Sequence, residues 1–208
     1  MKLWYSTTSP FVRKVRAVAH YHHLQDRIEL LLVTRPFLAQ SPHNRDNPLG
    51  RVPALQLDNG DWLLNSSVIA EYLDSIGTAQ SLFPKHAERW KVMELYALAE
   101  GVLENLTGLM LPERMFRPQQ EWWLERHQQI LHRNDRTLTL IEQQLKPFGT
   151  QLNIGTLYTV CLLDFLRFRH SVTGADNYRA LPQLTQWADD MNAQYPCLAT
   201  TKPVMPPQ

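Results

Sequence analysis

The stretch "KLWYSTTSPFVRKVR", residues 2–16, decides the fold. "KLWYS" is short, apolar and followed by turn residues, so it reads as a strand. Ser9-Pro10 then supplies a helix cap with proline at the first helical position. Phe11, Val15, Val18 and His22 recur at helical spacing, with Val12 and Ala19 beside them. Arg13, Lys14 and Arg16 take the other face. A hydroxyl-rich turn therefore joins a strand to a basic amphipathic helix. The local pattern leaves open whether the Ser9 hydroxyl only caps that helix or also does chemistry.

Working outward, "IELLLVT", residues 28–34, is a continuous apolar run of strand length. Such a run suits a buried strand parallel to the first, with the helix as crossover. A polar segment from Arg35 to Asn47 leads into "NPLGRVPALQL", where Pro53 follows β-branched Val52 and the chain continues as a strand. "QLDNGDWLL" holds Asn59-Gly60 between apolar residues, a hairpin signal of the type I′ kind. "NSSVIAEYLDSIG" closes the first half as a capped helix that Gly77 terminates. Residues 1–78 thus read as βαβ followed by a hairpin and a helix.

Residues 79–86 read as a linker, and residues 87–208 as an all-helical domain. Residues 87–110 and 119–145 are expected as two long helices, with Pro112 and Pro118 in the break. "LNIGTLYTVCLLDFLRFRH" is a largely apolar, central helix, and "LPQLTQWADDMNAQYP" another bounded by prolines. The tail "TTKPVMPPQ" is proline-rich and expected to be extended.

A chain of 208 residues has room for one large domain or two small ones. Its composition, 44% hydrophobic and 20% charged, is that of an ordinary globular protein. A formal net charge of +1 points to neither nucleic acid nor an acidic membrane as partner. No apolar run approaches membrane-spanning length, and "MKLWYSTTSP" lacks the apolar core of a signal peptide. The two cysteines, Cys161 and Cys197, form no CxxC motif. A cytoplasmic protein without structural disulfides is the expectation.

Four segments carry a family resemblance. "SPFVRKVR" resembles the active-site turn and first helix of the cytosolic glutathione S-transferases. "NPLGRVPAL" is similar to that family's cis-proline segment, and "NSSVIAEYLD" to the segment holding the γ-glutamyl end of glutathione. "NIGTLYTVCLLDFLRFR" occupies the place of the family's buried helix with its N-terminal capping motif. Order and spacing agree over essentially the whole chain. Two departures stand out. Asn65 replaces the usual Glu or Gln, and the capping pair is Asn153 with Thr156 rather than Ser or Thr followed by Asp. Thr156 is expected to reach back only weakly.

The resemblance implies an α+β, thioredoxin-like N-terminal domain with a mixed sheet, followed by an all-α helical-bundle domain. It implies a serine-type active site in which Ser9 donates a hydrogen bond to the glutathione thiolate. It also implies a cis Val52-Pro53 bond that turns the Val52 backbone toward an extended peptide. Ser66, at a helix start, would receive the γ-glutamyl carboxylate, since free N–H groups there favour anions. Asn65 would meet the same end of the ligand, and Arg51 its glycyl carboxylate. Glutathione is the implied co-substrate, a small apolar electrophile the second partner, and a homodimer the implied assembly.

Other residues read differently. "HYHH", residues 20–23, has no second cluster to complete a ligand set, so no metal is expected. Cys161 lies in an apolar helix, and Cys197 near the tail has no cationic helix end to activate it. Met110, Met115 and Phe116 offer an adaptable apolar wall, although methionines at helical spacing are more often core. Two rival functions share the scaffold. One is a non-catalytic partner-binding or regulatory protein similar to the stringent-starvation regulators. The other is a glutathione-dependent isomerase or dehalogenase.

Overall fold

The structure, a computed structural model, describes residues 1–205. Of the tail expected to be extended, residues 206–208 lie outside the described residues. The chain divides into two compact units. One is Met1–Phe83 joined by the segment from Pro196 onward, and the other is Pro84–Tyr195. The tail therefore belongs with the first unit, whereas the sequence grouped residues 87–208 as one helical domain. The short helix α8 (Pro196–Ala199) packs on α1 (Pro10–Tyr21), a long-range contact that no local pattern announces.

The first unit holds a four-stranded mixed sheet in the order β2-β1-β3-β4. β1 (Lys2–Tyr5) runs parallel to β2 (Glu29–Leu32) and antiparallel to β3 (Ala54–Gln56). β3 runs antiparallel to β4 (Trp62–Leu64). α1 is the crossover between the parallel pair, and α2 (Ser66–Ile76) follows β4. Leu3, Val12, Val15, Val18, Leu55, Ile69 and Leu73 form the buried core between helices and sheet. The apolar face of α1 is buried as its spacing predicts. Arg13 and Lys14, on the other face, are buried too, and Arg13 donates to the carbonyl of Leu198 in α8 at 3.3 Å.

The apolar run of β2 is not a buried strand. Sheet order leaves it at the edge, with Leu30 and Leu32 exposed at 42% and 39%. The Asn59-Gly60 hairpin forms, but not as a type I′ turn. Only Gly60 has positive φ, and its N–H closes onto the carbonyl of Leu57 at 3.0 Å. This is a four-residue turn followed by a glycine bulge, the commonest alternative hairpin geometry.

The second unit is helical: α3 (His86–Asn105), α4 (Leu111–Phe116), α5 (Leu124–Leu145), α6 (Ile154–Thr173) and α7 (Pro182–Gln194). A π-helical turn over Leu106–Met110 runs from α3 into α4 without a break, and Pro112, which has no N–H to donate, follows directly on it. α6 is buried continuously from Ile154 to Leu166 and packs on α3. Its N-terminus carries a complete reciprocal cap. Thr156 N–H donates to Asn153 Oδ1 at 3.0 Å, and Asn153 N–H to Thr156 Oγ1 at 2.9 Å. Threonine thus reaches back fully, not weakly.

Candidate functional site

The strand register brings the three expected site segments together. Trp4 pairs with Ala54, and Ala54 with Leu64. The C-terminal end of β1, the start of β3 and the end of β4 therefore lie at one end of the sheet. From that end emerge the turn to Ser9, the Val52-Pro53 bond and the Asn65-Ser66 helix start.

Ser9 is the N-cap of α1, in extended conformation. Its Oγ accepts from Val12 N–H at 3.3 Å, and its carbonyl accepts from Arg13 N–H at 3.0 Å. A hydroxyl carries one donor and two acceptor lone pairs. Capping uses a lone pair and leaves the O–H hydrogen for another acceptor. The two roles open in the sequence are compatible in one geometry. Tyr5, four residues earlier, lies under the Arg16 guanidinium, 5.7 Å from its ring centre. Burial lowers the Arg16 pKa, and Tyr5 opposes that shift.

The Val52-Pro53 peptide is cis, and Pro53 is buried directly before β3. The loop before it is organised by Asn47, a buried residue that sequence reasoning missed. Asn47 Nδ2 donates to the Arg51 carbonyl at 2.7 Å, and its Oδ1 accepts from Leu49 N–H at 3.0 Å. The Asn-Pro pair at 47–48 is a turn signal that marked it. Arg51 projects exposed from this loop. Trp4 Nε1 donates to Asp46 Oδ2 at 2.8 Å, tying the same loop to β1.

At α2 the structure corrects the cap. Asn65, not Ser66, is the N-cap, and its Oδ1 accepts from Ser67 N–H at 2.8 Å. Asn65 holds φ +75° and ψ 128°, a positive-φ conformation outside the left-handed helical region. Ser66 becomes the first helical residue and is buried. With Oδ1 engaged by the backbone, Asn65 presents its Nδ2 donors, which suit an anion.

Among the described residues no group of three or more His, Cys, Asp or Glu could hold a metal ion. In "HYHH", His22 is buried with Nε2 within 2.8 Å of Asp74 Oδ1, while His23 is exposed. Cys161 and Cys197 are both buried and in no disulfide, and burial raises the Cys197 pKa. Met110 is core; Met115 and Phe116 are exposed. Trp122 packs under Arg114, 5.0 Å from its ring centre. Among the described residues no helix is long and apolar enough to cross a membrane.

A cis-proline, thioredoxin-like sheet unit joined to an all-helical unit defines a class of protein, and the comparisons agree with it. Residues 8–76 match the family described as "Glutathione S-transferase, N-terminal domain". The uncharacterized GST-like protein YibF of Escherichia coli K12 is 32% identical over 189 residues, covering 84% of this chain and 86% of its own length. A glutathione transferase family member from Pseudomonas fluorescens Pf-5, solved with bound S-(propanoic acid)-glutathione, superposes with a TM-score of 0.86. It is 29% identical, and the match covers 99% of this chain and 100% of that one. A glutathione S-transferase from Methylobacillus flagellatus KT, solved with glutathione bound, gives 0.85 at 27% identity, over 98% and 99% of the two chains. The chain belongs to the glutathione S-transferase family.

Proposed function

We propose that this protein binds glutathione and transfers its thiolate to a small, largely apolar electrophile. The observation that carries the reading is the convergence of Ser9, the cis Val52-Pro53 bond and the Asn65-Ser66 helix start at one end of the sheet. In this reading the Val52 backbone pairs with the extended tripeptide. Ser66, with its hydroxyl and its own N–H at the start of α2, and Asn65 Nδ2 hold the γ-glutamyl carboxylate. Arg51 meets the glycyl carboxylate.

Ser9 acts as donor and is never deprotonated. A free thiol with a pKa of about 8.5 is only about 3% ionised at pH 7. One hydrogen bond to a charged acceptor is worth about 1.5–3 kcal/mol. At 1.36 kcal/mol per unit, that lowers the pKa by roughly one to two units, so about a quarter to three quarters of the thiol is ionised. The N-terminal end of α1 adds in the same direction. The thiolate then attacks the electrophilic carbon. A sulfur–carbon bond forms, and either a leaving group departs or the adjacent carbon takes up a proton. A serine cannot form the mixed disulfide that thiol–disulfide exchange requires. The assembly proposed is a homodimer, and the location proposed is the cytoplasm.

The test is ultraviolet thiolate absorbance titrated against pH at saturating glutathione, followed by product analysis on a panel of electrophiles. A bound-thiol pKa clearly below the free value supports the transferase. A complex without a shift, or no complex, favours the partner-binding scaffold. Halide release or isomerised product instead of a stable thioether would assign the site to a dehalogenase or isomerase.

A further inference from the structure

We propose that the C-terminal segment Pro196–Val204 is a brace that positions the Ser9 turn, acting through the backbone N–H of Val204. This inference rests on the Ser9 donor role above for its catalytic consequence, but its structural basis is separate.

Residues 6–8 connect the end of β1 at Tyr5 to the Ser9 cap of α1. Their backbone is bonded from elsewhere in the chain at one point among the described residues: Val204 N–H donates to the Thr7 carbonyl at 3.2 Å. Thr7 is two residues from Ser9, a span of at most about 7 Å of chain. The donor is itself anchored. Arg13, in the first turns of α1, donates to the Leu198 carbonyl at 3.3 Å, and α8 packs on the same helix. Thr201 is buried and its hydroxyl donates to the Cys197 carbonyl at 2.7 Å. Pro203 then fixes φ immediately before Val204. The segment thus grips the helix that Ser9 caps and, six residues after Leu198, holds the turn that leads into that cap.

The side chains do not explain this arrangement. Val204 and Met205 remain 56% and 67% exposed, so little apolar burial holds the tail in place. What the segment supplies is a backbone donor to a carbonyl beside the reacting position. A hydrogen bond to sulfur weakens steeply once its angle departs from linear. Fixing the turn therefore fixes how much of the hydroxyl's donor strength reaches the thiolate. Val204 is a positioning residue and touches no reacting atom.

The decisive pair of variants is Val204→Pro and Val204→Ala in the full chain. Proline keeps an extended backbone and deletes the N–H; alanine keeps the N–H and trims the side chain. Two readouts are taken: amide hydrogen exchange of residues 6–9 without ligand, and the bound-glutathione thiol pKa with kcat and KM. The expected result for Val204→Pro is faster exchange in the turn, a bound-thiol pKa moved toward the free value, and kcat reduced several-fold with the glutathione KM nearly unchanged. The conservative Val204→Ala is expected to keep the wild-type pKa and kcat. Wild-type exchange in Val204→Pro overturns the brace, whatever the catalytic outcome. Equal losses in both variants also overturn it, because the side chain would then be responsible. If the wild-type protein binds no glutathione, the transferase reading fails, and the exchange measurement alone decides whether the brace exists.

Discussion

His22 Nε2 lies 2.8 Å from Asp74 Oδ1, with both side chains buried, and joins the end of α1 to the last turn of α2. The same carboxylate accepts from Leu82 N–H at 2.7 Å and from the Ser81 hydroxyl at 2.6 Å. One aspartate thus gathers α1, α2 and the chain that leaves them. Each of these helices begins at the candidate site, so the junction sets the spacing of the Ser9 and Ser66 helix starts from the far end.

Asp74→Ala tests that role. It leaves the Leu82 N–H and His22 without their buried acceptor. Each orphaned group costs about 1–3 kcal/mol, so the expected loss in unfolding free energy is at least about 2 kcal/mol. Asp74→Asn retains one carbonyl acceptor and is expected to lose less. Urea unfolding measures both. Equal stability of wild type and Asp74→Ala would show that the junction is dispensable.

Gly77 is required by the same histidine. A Cβ on Gly77 would lie 2.1 Å from His22 Nδ1, yet its φ of −76° is open to any residue. Glycine here answers to a neighbour rather than to a turn. Gly77→Ala is expected to destabilise by about 1–3 kcal/mol, the usual cost of overpacking. In a His22→Ala background the two nearest ring atoms are gone and only the His22 Cβ, 2.7 Å away, still opposes the methyl, so the penalty should shrink. A double-mutant cycle measures that coupling directly. Additive effects would sink the steric explanation.

How far the sequence carries can be judged on particular residues. The strand–helix–strand order, the hairpin and the buried α6 were legible because each rests on a local period or a turn signal. The cis Val52-Pro53 bond was legible only through family likeness, since local chemistry favours trans. The edge position of β2 was not legible: a run of leucines looks alike at the centre and at the rim, and sheet order decides exposure. The burial of Arg13 and Lys14 was not legible because helical periodicity sees one helix at a time. Their burial involves partners distant in sequence, such as Leu198 for Arg13. At the candidate site, Ser9 read as a helix cap from its pattern and is one, but the second cap fell at Asn65, one residue earlier than Ser66. Asparagine in a positive-φ conformation ends a strand and starts a helix in a single residue.

Substituting Ser9 separates its two roles. Ser9→Gly preserves most of the capping, since glycine at an N-cap costs only a few tenths of a kcal/mol, whereas Ser9→Ala loses about 1 kcal/mol. Both delete the donor. Activity at pH 7 is therefore expected to fall roughly 8- to 25-fold in each, as the ionised fraction returns toward about 3%. Stability should fall only in Ser9→Ala. The sign of the pH effect follows: the deficit is largest below the free thiol pKa and fades above it, where glutathione ionises unaided. A deficit independent of pH would mean that the hydroxyl acts on something other than the thiol.

The reciprocal cap on α6 makes the last test. Thr156 is fully buried, and its Oγ1 both accepts from Asn153 N–H and donates to the Gln151 carbonyl at 2.9 Å. Thr156→Val keeps the volume and removes the hydroxyl, leaving a buried N–H and a carbonyl short of a partner. The expected loss is about 1–3 kcal/mol. For a chain of this length each kcal/mol lowers Tm by roughly 2–4 °C, so a fall of several degrees is expected in a thermal scan. Thr156→Ser restores the hydroxyl and should recover most of it. A Thr156→Val protein melting with wild type would mean that Asn153 alone starts the helix, and that the second half of the cap contributes nothing.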